Sequence, residues 1–319
     1  MKNWFRSLGT SVRFDLIMHS RNMLAMLMIV GFIPFMLFVV RYMFPTSLVG
    51  FMVRATGMQL TVPANAISVI TVTVNTVTLV VSFMMFAATR RTGDFDQRLV
   101  LAGLSRTALL TGKLLVLALI SAVVSGYAAL LIPIFQSVQQ PWWMWAGLAS
   151  GAAVYGGIGT VLALVLTNEL AGMFAILVVS LLDVAMQNPL VNPSSGAAAL
   201  KLLPSYGSTQ SAVAAAFTDE LALRALLGGP GIWFVLCVAI GFGAFAYRTR
   251  NHAPQDRVAD NPESINTASA VWLIPGEDGS VIVRNTSGAV ILCSELAART
   301  GGADATLTPH VHHHAGQIA

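Results

Sequence analysis

Of the 319 residues, 55% are hydrophobic and only 10% are charged, with a mean hydropathy of +0.72, whereas a soluble domain carries about 25% charged residues. So few charges cannot coat a water-soluble surface, and the composition points to a bilayer instead. The net charge of +4 comes from arginines that flank apolar runs rather than forming one basic face, which argues against a nucleic-acid partner. With Cys237 and Cys293 the only cysteines, neither a disulfide framework nor a cysteine metal site is indicated.

At the start of the chain, Met1, Trp4, Phe5, Leu8, Val12 and Leu16 fall within an arc of about 120° on a helix, with Lys2, Arg6 and Arg13 opposite. This pattern predicts an interfacial amphipathic helix within residues 1–21, its aromatic face in lipid and its cations at the headgroups. The first apolar run starts only after Arg21 and lacks a small-residue cleavage site, so it is expected to stay attached. Residues 22–43, 66–89, 113–134 and 142–166 are each long enough to cross a hydrocarbon core of about 30 Å at 1.5 Å per residue. Runs at 171–186 and 232–247 are shorter and need flanking residues or a thinned bilayer. Six spans result, making 22–250 the transmembrane domain.

An even number of spans places both ends on one side. Basic residues collect in the N-terminal segment, between Arg90 and Lys113, and at Arg248, Arg250 and Arg257, so the positive-inside rule predicts two cytoplasmic termini. Trp142, Trp143 and Trp145 then mark the outer interface.

Between the second and third spans, the coupling-loop region 90–112 holds Arg90, Arg91, Gly93, Asp94, Phe95, Asp96, Arg98, Leu99, Ala102, Gly103, Ser105 and Arg106, followed by Lys113. Phe95, Leu99 and Ala102 at i, i+4 and i+7 give an apolar ridge flanked by Arg98 and Arg106. Gly93 and Gly103 are expected to bound this short helix, and Ser105 to cap the third span. The order of basic pair, Gly, acidic residues, apolar-charged helix, Leu-Ser-Arg and Gly-Lys resembles the permeases of type-2 ATP-binding-cassette exporters, and the resemblance extends over residues 1–250. In that family this loop docks into a cleft on a cytoplasmic ATPase. The resemblance therefore implies ATPase-coupling roles for Arg91, Gly93, Asp94, Phe95, Arg98, Leu99, Ser105 and Arg106. Asp94, Phe95 and Asp96 stand where the family usually shows Thr and Glu. The plainer alternative is a positive loop that only sets orientation.

Along the second span Ser68, Thr71, Asn75, Thr78 and Ser82 step by three and four, so they share one face toward the bundle or a dimer seam. Helix packing explains the Ser and Thr residues. As candidates for the substrate path, Thr71, Asn75 and Thr78 join Asp183, an ionisable residue that is costly in the fifth span unless paired or wetted. Gly147, Gly151, Gly156, Gly157 and Gly159 allow close helix contact along the fourth span.

The outer loop 188–231 is broken by Asn188-Pro189, Asn192-Pro193 and Pro204, yet 197–203 and 211–227 read as short helices. They are expected to re-enter the outer leaflet, with a small extracellular cap as the alternative. Residues 251–319 form a polar linker and cytoplasmic tail, with β-prone runs at 271–274, 280–284 and 289–293. His310, His312, His313 and His314 end that tail without evident supporting partners for a metal.

The expected fold is thus an all-α polytopic membrane protein of six transmembrane helices, with an interfacial helix, outer-leaflet re-entrant helices and a small tail. No G-x-x-x-x-G-K-[ST] loop is present, so ATP and Mg belong to a partner ATPase and this chain is expected to bind no cofactor or metal and to be no enzyme. An intramembrane enzyme finds little support, because no apolar span holds a His, no G-x-S-G occurs and Asp183 lacks a second acid in another span. The resemblance implies a permease in the bacterial inner (plasma) membrane, working with the ATPase, a second permease copy or paralogue, and membrane lipid. It would export a lipid-like, drug-like or peptide substrate. The alternative is a secondary transporter or channel not coupled to ATP.

Overall fold

The computed structural model describes residues 2–101, 103–188, 192, 198–250, 272–275, 281–284 and 290–293. Chain contacts divide it into two units, Met1–Asn251 and His252–Ala319. Among the described residues, six helices are long and apolar enough to cross a membrane. The protein is accordingly mostly helical and multi-pass.

Helix α1 (Lys2–Ser20) packs on the third span. Its Val12 and Leu16 meet the protein core, while Phe5 and Phe14 remain exposed. The apolar arc expected to face lipid as a whole is therefore split, because part of it is needed to dock the helix.

The first span consists of α2 (Met23–Leu27), a π-helical turn Met28–Phe32 and α3 (Ile33–Met43). Pro34 has no N–H to donate to the Val30 carbonyl, and a wider turn before proline relieves the ring clash. Tyr127 Oη from the third span donates to that Val30 oxygen at 3.4 Å, so the freed acceptor is satisfied inside the apolar layer.

After α3 the chain forms an antiparallel hairpin, β1 (Leu48–Val53) with β2 (Met58–Pro63). Gly57 at φ 76° closes the turn, donating to Val53 O at 2.7 Å. The Arg54 N–H then ties the hairpin to Gln210 at 3.1 Å.

The second span, α4 (Ala64–Leu101), contacts α3 and four later helices. These are α5 (Arg106–Phe135), α6 (Pro141–Val165), α7 (Glu169–Gln187) and α8 (Tyr206–Phe217). No break occurs at Gly93, which lies inside α4, so the expected short helix is the continuation of the second span. The true boundary is Gly103 at φ 93°, a left-handed position that ends the helix.

Both marginal spans are longer than their apolar runs. In α7 the Asn168 side chain accepts from Leu170 N at 2.9 Å and Ala171 N at 3.4 Å, starting a 19-residue helix before the apolar run begins. Helix α9 (Leu223–Arg250) passes through Pro230, and 25 of its residues qualify as a span. The helix expected at 211–227 is instead divided by a turn between Phe217 and Leu223, and a 3-10 turn, Ala198–Leu202, precedes α8. Most of α8 is buried, packed on α4, α6 and α9.

Small residues set the close crossing of α4 on α6. A Cβ at Gly159 would collide with the Ser82 backbone oxygen, and one at Gly151 would lie 3.1 Å from the Thr78 methyl and 3.0 Å from Ser208 Cβ. In hydrocarbon, where apolar burial drives no helix association, such close contact supplies the attraction. The second unit contains a three-stranded antiparallel sheet, β3 (Trp272–Pro275), β4 (Val281–Arg284) and β5 (Val290–Cys293), paired in that order. The four terminal histidines lie outside the described residues.

We predict that Gly159→Leu forces α4 and α6 apart at an overpacking cost of about 1–3 kcal/mol. In detergent it should lower the thermal midpoint of the purified protein. Gly9→Leu, where nothing lies within 4 Å of the added carbon, should leave that midpoint unchanged.

Candidate functional site

Two polar constellations stand out against the apolar bundle. The first is built where α4 turns into α5. Arg91, Gly93, Asp94, Phe95, Arg98 and Leu99 all lie on the last turns of α4. Ser105 caps α5, its hydroxyl accepting from Ala108 N at 3.5 Å, and Arg106 opens that helix. The expected coupling residues are thus brought to one end of the bundle. Arg91, Phe95, Arg98 and Arg106 are exposed there, while Leu99 and Ser105 are half-buried.

Behind this exposed surface the turn is clamped. Asp96 and Lys113 form a salt bridge at 2.7 Å, with side chains only 8% and 13% exposed. Lys113 Nζ also donates to Thr92 Oγ1 at 3.0 Å. On the α1 side, Phe95 stacks on Phe14 with ring centroids 4.9 Å apart, and Trp4 Nε1 donates to Thr107 Oγ1 at 3.3 Å. Gly112 lets α1 approach α5, since a Cβ there would lie 2.8 Å from Ser11 Oγ. Neither Phe14 nor the Asp96–Lys113 pair is legible as a partner in the sequence, because each joins different helices.

Two buried ionisable groups of α1 lie next to this clamp. Burial raises the Asp15 carboxyl above its ordinary range and lowers His19 below its usual 6.5. Lys113 opposes the first shift and deepens the second. His19 Nδ1 donates to the Asp15 carbonyl at 2.8 Å, so Nε2 is the unprotonated nitrogen. That Nε2 is buried without a hydrogen-bond partner.

The second constellation centres on Asp183, 1% exposed. Tyr155 Oη of α6 donates to its Oδ2 at 2.6 Å, and the Ser205 N–H donates to the same oxygen at 2.9 Å. Gln187 donates to Oδ1 and, at 2.9 Å, to Ser205 Oγ. One turn earlier on α7, Ser180 Oγ donates to Asn75 Oδ1 of α4 at 2.6 Å. After Gly172 and Ile176, the buried face of α7 turns polar through Ser180, Asp183 and Gln187, while Leu170, Phe174, Leu177 and Leu181 are exposed. Such inverted amphipathicity suits a helix whose surroundings are hydrocarbon.

Of the other substrate-path candidates, Thr71 Oγ1 donates to Ser68 O at 3.3 Å and Thr78 Oγ1 to Asn75 O at 2.9 Å. Both are buried, and only Asn75 reaches across to another helix in a side-chain bond. Ser180 and Gln187 share a face with Asp183 by their spacing and could have been found in the sequence. Tyr155 and Ser205 carry no such signal.

Among known proteins, no family model and no curated protein matches this chain. No cluster of three or more metal-binding side chains occurs among the described residues.

Tyr155→Phe should destabilise the protein by about 1–3 kcal/mol, because a buried carboxyl loses a donor. Combined with Asp183→Asn, the loss should be smaller than the sum of the two, as a double-mutant cycle on thermal or denaturant unfolding would report. A second expectation concerns pH. Since the folded His19 value lies below 6.5, docking of α1 is fully stable above that value and weakens as pH falls beneath it. Protection factors for hydrogen exchange in α1, corrected for the intrinsic rate at each pH, should fall below pH 6.5, and His19→Gln should remove that fall, leaving only the opposite dependence of the raised Asp15 carboxyl.

Proposed function

We propose that this chain is the membrane-embedded permease of an ATP-driven exporter of the type-2 ATP-binding-cassette kind, moving a lipid-like, drug-like or peptide substrate outward. A separate ATPase supplies ATP and Mg, and a second copy or paralogue completes the pathway. The observation that carries this reading is the continuity of α4 into the exposed α4–α5 turn. Its 38 residues extend about 57 Å, well beyond a hydrocarbon core of about 30 Å.

A motor needs a rigid handle. A helix that runs unbroken from the middle of a bundle to an exposed turn transmits a push without a hinge to absorb it. The Asp96–Lys113 bridge and the Phe14–Phe95 stack support this role, because they tie the handle to α5 and α1. Arg91, Arg98 and Arg106 leave cations exposed for acidic partner groups, and the positive-inside rule supports a cytoplasmic setting for that surface and both termini, on the proposed reading in a bacterial inner membrane. Transport follows alternating access: nucleotide binding closes the ATPases, the turns move with them, and the path between two permeases opens outward.

Phe95→Asp and Arg98→Glu should each abolish co-purification with the partner ATPase while leaving membrane insertion intact. Phe14→Ala, which removes only the stack with α1, should retain the complex. Unchanged co-purification in both turn variants, or transport driven by an ion gradient with no ATPase present, would favour a secondary transporter or channel instead.

A further inference from the structure

Helix α9 packs on α6 and α8, and between it and α5 lies a cleft at the α4–α5 end of the bundle. Leu114 and Leu117 of α5 face Phe234, Val238 and Phe242 of α9 across it, with Gly157 of α6 at its floor. From Phe234 to Phe245 the α9 wall is about 16 Å long at 1.5 Å per residue. Its volume of about 110 Å³ is that of a partly open cleft, which holds only a segment of a larger molecule. A long, narrow, apolar trough of this kind admits a single slender chain. Left empty in a bilayer, it would forfeit dispersion contacts along its walls, so hydrocarbon is its natural filling.

One end of the trough is not apolar. Asp96, Lys113, Thr89 and Gln97 border it there, and the ion pair is nearly buried. Lys113 is already neutralised by Asp96, and Asp15 of α1 lies within electrostatic reach of both. Within the lining of the cleft, where Asp96 and Lys113 are the charged residues, an anionic headgroup therefore meets no net positive charge. A zwitterionic one adds a phosphate for Lys113 and an ammonium for Asp96, keeping every buried charge paired.

From this juxtaposition we propose that the cleft between α5 and α9 is a binding site for a phospholipid of zwitterionic head, one acyl chain in the trough and its phosphate and amine at Lys113 and Asp96. The site adjoins the turn assigned to ATPase coupling and shares Gly93 and the Asp96–Lys113 pair with it, but lipid binding is read out below with no ATPase present, so its failure is distinguishable from the failure of that role.

Gly241 gives the means to test it. It lines the trough, and a Cβ built on it meets nothing within 4 Å, so a larger side chain fills the cleft without displacing protein. Gly243 has the same open surroundings outside the trough. The full chain is reconstituted in phosphatidylethanolamine nanodiscs containing a trace of the same lipid with a photoreactive acyl chain, and labelled peptides are mapped by mass spectrometry. Labelling should concentrate on the α9 peptide containing Phe234 to Phe245 and on the α5 peptide containing Leu114. Gly241→Leu should bring that label down to the level on the exposed α7 face around Phe174, while Gly243→Leu leaves it high. Replacing the tracer by phosphatidylglycerol with the same acyl chain should lose the concentration at α9. Equal labelling of α7 and α9 in the wild type, an unchanged pattern in Gly241→Leu, or equal capture of the anionic tracer would each overturn the proposal.

Discussion

Everything in the bundle is arranged around one constraint: a helix buried on almost every side must be held where water gives no reason to bury it. In lipid, an apolar side chain is as well placed outside the bundle as inside, so the contacts of α4 must be close to be favourable. That is why its neighbour α6 presents glycines at 151, 156 and 159, where side chains would crowd Thr78 and Val81 at 3.1 Å or collide with the Ser82 backbone. Dispersion falls away steeply with distance, so the absent side chains are what make this crossing attractive. The same logic explains why bulky apolar residues such as Phe35, Phe38, Leu181 and Val235 are on the outside.

Polar residues add direction to this packing. On α7 the Asn75–Ser180 bond and the Asp183 cluster act as two pins less than two turns apart. Rotation of α7 by one residue would carry Asp183 toward hydrocarbon and strip it of the Tyr155 and Ser205 donors, a change far costlier than sliding one aliphatic contact past another. The cluster thereby fixes the rotational setting of α7 and, through Ser205, the start of α8. A buried acid surrounded by its own protein's donors is accounted for structurally, without a ligand.

The sequence made the spans legible because their signal is local: an uninterrupted apolar run is enough. Asn168 and the stretch before Ile232 show where that signal stops short, since caps and Gly/Pro-containing turns extend a helix beyond its apolar run. Gly93 was misleading for a related reason. A glycine within a helix is disfavoured by about 1 kcal/mol, but neighbouring turns of good helix formers carry α4 through it, and only Gly103, with its left-handed backbone, ends the helix. The β1–β2 hairpin carries no clear alternation in the sequence, because apolar residues such as Leu48 and Phe51 lie on both of its faces. At the candidate site, residues of one helix face could be grouped from spacing, whereas Phe14 with Phe95, Asp96 with Lys113 and Tyr155 with Asp183 depend on helices distant in sequence.

The Asp96–Lys113 pair joins these features into one mechanical picture. It lies where three demands converge: the α4–α5 turn must be stiff, α1 must dock beside it, and the trough beside α9 must end in something polar. A hydrophobic pair of similar volume could supply the stiffness, often with equal or greater stability. It could not supply the field felt by Asp15, nor a polar end to the trough. Retaining a buried ion pair at this point is therefore best explained by what it does for its neighbours. On the proposed reading, a displacement of the turn moves α1, α5 and the polar end of the cleft together, because all three are tied to the same two charges.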